Sequence, residues 1–252
     1  MQFTSIGSGS KGNCTVVRNG KSTLLVDCGF GLTYTISSLV AKGIEPREIT
    51  AIFVTHEHGD HIRGVRMLAN RFHIPVFATA GTFSKIAKLD RALVNEIAGG
   101  DIISIHGVKV RSVEVPHDAR EPTQFVFESA ESRFGLLTDI GSITDAVVDH
   151  YSDCDSLFVE SNHDIDMLWN GNDPEFLKHR VSSDLGHLSN GQAKEFLSRV
   201  KHSRLSNVVI GHVSQRNNNT EVLKREYDQL KREVDVWFAT QENGTPWVSV
   251  KD

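Results

Sequence analysis

A chain of 252 residues with 39% hydrophobic and 23% charged side chains has the composition of a globular protein, which excludes collagen-like repeats, a coiled coil and wholesale disorder. Its three cysteines, Cys14, Cys28 and Cys154, are odd in number and lack a CxxC spacing, which excludes a disulfide framework and points to a reducing, cytoplasmic setting. The net charge of −5 speaks against indiscriminate coating of nucleic acid. Residues 1–5 lack the basic and apolar regions of a signal peptide, and no apolar run approaches the roughly 18 residues of a bilayer span, so no membrane association is expected.

Short apolar runs alternate with helical stripes along the chain, and no linker, repeat or low-complexity tract separates them. One domain over residues 1–252 is therefore expected. The Gly/Ser-rich residues 7–13 (GSGSKGN) read as a β-turn between two N-terminal strands and lack the spacing of a nucleotide P-loop. Residues 23–27 (TLLVD) and 51–55 (AIFVT) are predicted buried strands. Ile36, Leu39 and Val40 give a helix between them, stopped by Gly43, and Val65, Leu68, Ala69 and Phe72 give a second helix before Pro75.

Residues 108–115 predict a strand whose alternation slips between Val110 and Val113, the signature of a bulge. Residues 125–127 and 134–138 predict a hairpin, and residues 157–160 and 208–210 two further buried strands. Ala193, Phe196, Leu197 and Val200 share a helical face, as do Leu223, Tyr227, Leu230 and Val234, the latter with Thr220 placed to cap it. The pattern fits an α/β architecture of two sheets with helices on their outer faces.

The chemistry concentrates in residues 55–61 (THEHGDH), which follow the second strand and precede a helix. Histidine and carboxylate side chains are ligands for zinc, manganese and iron, and His56, His58, Asp60 and His61 fall within six residues. His56 and His58 face the same way in an extended chain, whereas the adjacent Asp60 and His61 diverge. Two neighbouring ions accommodate all four better than one. The two-residue histidine spacing is not that of helical HExxH proteases. Three later residues, His117, Asp139 and His212, each follow a predicted strand and are candidates for the missing ligands.

HxHxDH with a following His, Asp and His at strand ends resembles the metallo-β-lactamase-fold hydrolase superfamily over most of the chain. The resemblance implies an αββα sandwich of two mixed β-sheets flanked by helices. It also implies one divalent metal ion on His56, His58 and His117, a second on Asp60, His61 and His212, and Asp139 as the bridge. Residues 7–13 together with residues 211–218 (GHVSQRNN) resemble the bacterial YycJ (WalJ) type subgroup, whose members act as DNA exonucleases from the 5′ end.

Two cations can hold a hydroxide nucleophile and stabilise a pentacoordinate phosphorus, so the expected activity is phosphodiester hydrolysis. Asp60 is a candidate for orienting the nucleophile. The leaving sugar oxygen needs a proton, for which His187, ahead of a helix starting near Gly191, is the candidate, with Glu160 as its carboxylate partner. His163 is its competitor, and Ser189 and Asn190 read as an ordinary helix cap. Residues 176–235 hold 11 Lys+Arg against 7 Asp+Glu, a net +4, and Arg199, Lys201, His202, Arg204 and Arg216 are candidates for following a nucleic-acid backbone, DNA in preference to RNA. The alternative is a metal-dependent hydrolase of a small carbonyl substrate such as a lactone, thioester or lactam.

Overall fold

The computed structural model describes residues 1–250; the last two positions of the expected domain, 251 and 252, lie outside the described residues. The first sheet contains β1 (Gln2–Gly7), β2 (Cys14–Asn19), β3 (Ser22–Val26), β4 (Ala51–Phe53), β5 (Val76–Ala78), β6 (Val94–Glu96) and β14 (Val248–Ser249), in the order β14-β1-β2-β3-β4-β5-β6. The second runs β13 (Asp235–Phe238), β12 (Asn207–Gly211), β11 (Ser156–Glu160), β10 (Arg133–Leu137), β9 (Thr123–Glu128), β8 (Val108–Glu114) and β7 (Ile102–Ile105). Each sheet is antiparallel at one side and parallel at the other.

Helices cover the outer faces. Against the first sheet lie α1 (Leu32–Ala41), the single turn α2 (Gly59–Ile62), α3 (Val65–Phe72) and the short α4 (Ala80–Phe83); against the second lie α5 (Asp145–Tyr151), α8 (Asn190–Val200) and α9 (Thr220–Glu226), while α6 (Ile165–Asn170) and α7 (Glu175–Val181) follow β11 outside that core. Between the sheets is an aromatic core, in which Phe3 of β1 stacks on Phe134 of β10 at 4.0 Å between centroids and Phe53 of β4 meets Phe125 of β9 edge-on at 5.4 Å. The architecture is the expected αββα sandwich of two mixed sheets. No helix among the described residues is long and apolar enough to cross a membrane.

Several local expectations need correction. The strand β8 pairs with β9 in unbroken register from Lys109 to Glu114, so it carries no bulge. The alternation slips because both faces of the strand are covered: Val108 and Val110 enter the core between the sheets, while Val113 packs on the opposite face with Val147 and Val148 of α5. Val40 is exposed, and α1 buries Thr35 and Leu39 instead. The last helix is capped by Asn219, whose side chain accepts from Val222 N, not by Thr220, and it ends at Glu226 before a 3-10 turn at Leu230–Arg232.

The strand directions position the site. Strands β8, β10, β11 and β12 run the same way, so their C-terminal ends meet at one edge of the second sheet, facing the C-terminal ends of β3 and β4. Side chains just past those ends are brought together irrespective of their distance along the chain, as at the ligand edge of other open α/β sheets.

Candidate metal centre

All seven expected ligands gather at this edge. The nitrogens of His56, His58 and His117 lie within 4.8 Å of one another, as do the ligand atoms of Asp60, His61 and His212. Asp139 sits between the two trios, with Oδ2 3.1 Å from His61 Nε2 and Oδ1 3.4 Å from His212 Nε2 and 3.9 Å from His117 Nε2. Asp60 and His61, expected to diverge, instead lie on the single turn α2 and both approach His212. The backbones of Asp139 and His212 are left-handed, at φ 53° and 48°, a strained conformation costing roughly 1–2 kcal/mol for an L residue. It turns both side chains sharply off their strands into the cluster.

A residue that the sequence reading passed over organises the first histidines. Asp27 ends the strand read from residues 23–27 and is buried, with φ 62°. It accepts hydrogen bonds from Thr55 N at 2.9 Å, from the Thr55 hydroxyl and from His61 Nδ1 at 2.8 Å. The Thr55 hydroxyl has one proton, which goes to Asp27, so its oxygen accepts from His56 Nδ1 at 2.9 Å. Both imidazoles are thereby fixed with Nε2 as a lone pair facing the cluster. His117 is set the same way, its Nδ1 donating to Gly186 O at 3.0 Å. Thr55 N is thus taken by Asp27 rather than by a neighbouring strand, which is why β4 stops at Phe53 instead of residue 55. Asp27→Asn should weaken metal binding about 10- to 100-fold, the usual cost of losing a carboxylate behind a ligating histidine, measurable by competition with a chromogenic chelator.

The glycine-rich residues 7–13 form the connection between β1 and β2 and do more than turn the chain. His212 N donates to Ser8 Oγ at 2.9 Å, Ser8 Oγ to Asn13 Oδ1 at 3.3 Å, and Asn13 Nδ2 to Asp60 Oδ2 at 3.4 Å. A hydrogen-bonded chain therefore joins the most distant ligand to the HxHxDH turn. Gly29 is required beneath it: a Cβ there would sit 1.6 Å from Asp60 O, inside the backbone that Asn13 N also contacts.

The residues present fit divalent cations. His56 Nε2, Asp139 Oδ2 and His212 Nε2 are buried without a hydrogen-bond partner, and acceptor atoms face one another across the cluster. Such a concentration of unpaired acceptors is costly unless a cation is held among them. Burial pushes the His56 imidazole well down in pKa, aided by the neighbouring His61, which keeps it neutral as a ligand must be. Burial works against charge on Asp60 and Asp139 too, yet His61 and His212 outweigh it and hold both carboxyls well below the usual range. Asp139, Asp27 and Asp60 in turn push the His61 imidazole well up against its burial; a bound cation would take over that positive charge and leave the His61 Nε2 lone pair for ligation.

His187 lies beside the cluster, its ring 5.3 Å from His117 and 5.2 Å from His212 between centroids. Its Nδ1 is 3.2 Å from Glu160 Oε1 and 3.7 Å from Asp139 Oδ1, and the side chain is 19% exposed. Glu160 is fully buried and further held by Leu188 N at 2.8 Å and Ile140 N at 3.2 Å. Burial opposes charge on His187, but the Glu160 carboxylate and its hydrogen bond, with Asp139 behind them, raise its pKa to about 9. The competitor His163 is buried, belongs to none of the clusters, and is pushed down to about 4 mainly by burial. Ser189 caps α8 in a reciprocal capping box with Gln192, and Asn190 is buried against Ser161 and Asn218.

A cavity of about 560 Å³ opens over the cluster, with Asp60, Asp139, His187 and His212 on its floor and Lys11, Arg180 and Arg216 on its walls. Of the basic candidates only Arg216 reaches it, where it pairs with Asp173 of the same wall at 3.0 Å. Arg199 pairs with Asp145, Lys201 with Glu233 and Arg204 with Asp155, while His202 Nε2 bonds Cys154 O. The last two anchors lie just before β11, at the opposite end of that strand from the site. That part of the basic segment is a set of neutralised surface pairs.

The family model of a Beta-lactamase superfamily domain matches residues 22–210. Exodeoxyribonuclease WalJ of Streptococcus pneumoniae is 32% identical over 227 residues, spanning 88% of this chain and 84% of that protein. Exodeoxyribonuclease YycJ of Bacillus anthracis is 30% identical over 239 residues, spanning 92% and 90%. Among solved structures, the metallo-beta-lactamase fold protein YhfI of Bacillus subtilis matches with a TM-score of 0.75 over 98% of this chain and 99% of its own, at 15% identity, a likeness of fold alone. The chain belongs to the beta-lactamase superfamily and, within it, to the group of hydrolases that includes WalJ and YycJ.

Proposed function

We propose that this chain is a dinuclear-metal-dependent phosphodiesterase that degrades DNA as an exonuclease from the 5′ end. The observation that carries the reading is the meeting of two ligand trios at Asp139 on the floor of an open cavity, with the His187–Glu160 pair beside them. His56, His58 and His117 would hold one cation and Asp60, His61 and His212 the other, with Asp139 reaching both. Two bound divalent cations supply Lewis-acid activation of water and neutralise charge on the attacked phosphate, and zinc, manganese and iron all suit these donors.

The remaining work falls to side chains of this chain. Asp60, partly open to the cavity, orients the attacking water. His187, held protonated by Glu160, gives its proton to the departing sugar oxygen. Lys11 and Arg216 line the path of the phosphate backbone. The names of WalJ and YycJ, both exodeoxyribonucleases, support DNA as the substrate. Residues 1–252 act as one catalytic domain, and three buried free thiols suit a cytoplasmic location.

Metal-reconstituted protein incubated with end-labelled single- and double-stranded DNA and RNA tests this reading. Stepwise release of nucleotides from the 5′ end of DNA is the expected result. Turnover confined to nitrocefin or thioesters would overturn it. A finer check concerns pH. His187 acts while protonated, so activity should fall as pH rises through its pKa. Glu160→Gln removes the main charge that holds that proton, lowers the pKa, and should move the basic limb of the kcat profile to lower pH, with little change on the acidic side.

A further inference from the structure

Twelve of the thirteen phenylalanines are buried or half-buried; Phe176 alone is exposed, at 75%. It lies on α7, where Leu177, Arg180 and Val181, spaced i, i+3, i+4, line the wall of the cavity over the metal cluster. Phe176 and His179, spaced i, i+3, form the adjoining stripe. Trp169, at the end of α6 and 39% exposed, packs edge-on against the His179 ring with centroids 5.1 Å apart. Its carbonyl accepts from the buried Lys178 ammonium at 3.0 Å, tying the two helices together. The result is an exposed aromatic strip, Phe176 beside the packed Trp169–His179 pair, next to the face of α7 that lines the cavity.

We propose that this strip is a base-stacking platform for unpaired nucleotides next to the phosphodiester in the site, an inference that rests on the nuclease reading above. Continuity with the cavity identifies the occupant. A strand whose phosphate reaches Asp139 and His212 and leaves along the wall formed by Leu177, Arg180 and Val181 carries its neighbouring nucleotides past α7. There the exposed rings meet the bases, and Arg180, paired with Asp118 at 2.6 Å, and Arg216, paired with Asp173 at 3.0 Å, flank the backbone. Every base has a π-face, so such stacking is independent of sequence. A base within a duplex has both faces occupied, and only an end or a single strand offers one to Phe176. The platform therefore favours a single-stranded or frayed terminus over a fully paired interior.

The test uses the metal-loaded full chain. A phosphorothioate oligonucleotide with 2-aminopurine near its 5′ end should lose fluorescence on binding the wild-type protein and recover most of it with Phe176→Ala. The same variant should raise KM for single-stranded DNA roughly five- to tenfold, the effect of one lost stack, while kcat and the turnover of bis-p-nitrophenyl phosphate stay unchanged. Phe176→Trp should restore both readouts. Wild-type quenching and KM in Phe176→Ala would overturn the platform while leaving the nuclease reading intact. Altered self-association in that variant, with DNA kinetics unchanged, would overturn it in favour of a protein contact. Failure of the wild-type chain to cleave any nucleic acid would remove the reading on which it rests.

Discussion

Asp139→Asn should lower turnover of both DNA and bis-p-nitrophenyl phosphate by on the order of 10³-fold, the consequence of losing several kcal/mol of charge stabilisation at about 1.4 kcal/mol per factor of ten. Asp139 reaches both trios, with Oδ1 3.9 Å from His117 of the first and Oδ2 3.1 Å from His61 of the second. Asparagine keeps the shape but offers one acceptor oxygen and no charge, so it cannot serve two cations at once. Metal analysis of the purified variant should find fewer than two ions per chain. A variant that keeps two ions and loses less than about tenfold in kcat would refute a bridging role.

His187→Ala should separate substrates by their leaving groups. A sugar alkoxide departs slowly without a proton, and a positioned general acid contributes about 10²- to 10⁴-fold, so kcat on DNA should fall by that amount. The p-nitrophenolate group leaves unprotonated, so turnover of bis-p-nitrophenyl phosphate should fall by much less. Equal losses on both substrates would assign His187 to holding the phosphate or a metal instead, consistent with its 3.7 Å approach to Asp139.

The part of the site that could be read in the sequence is the part encoded by type and position. Four ligands crowd residues 56–61, and His117, Asp139 and His212 each end an apolar strand whose direction places them at one edge. Strand ends are local features, and the fold then makes them neighbours. Asp27 and Asn13 were not legible as parts of the site, although each stood in a recognised segment. Their roles depend on hydrogen bonds to residues 28 to 48 positions away, Thr55, Asp60 and His61, which no local pattern reports.

Charge was misleading for a related reason. Arg199 and Arg204 look free in the sequence, and their carboxylate partners Asp145 and Asp155 come from segments about 50 residues earlier. The slip in β8 misled because it was judged against a strand with one covered face, whereas α5 covers its other face at Val113. Edge strands were the hardest to foresee. In β6, Val94 and Glu96 are exposed and Asn95 half-buried, so no apolar period marks it.

X-ray diffraction from crystals of the metal-loaded protein, recorded at the absorption edge of the bound ion, addresses the central claim directly. The account predicts two anomalous peaks about 3.5–4 Å apart, the usual separation in two-metal sites, one among His56, His58 and His117 and the other among Asp60, His61 and His212, with the Asp139 carboxylate between them. A single peak elsewhere in the molecule, or none in crystals of active enzyme, would contradict it.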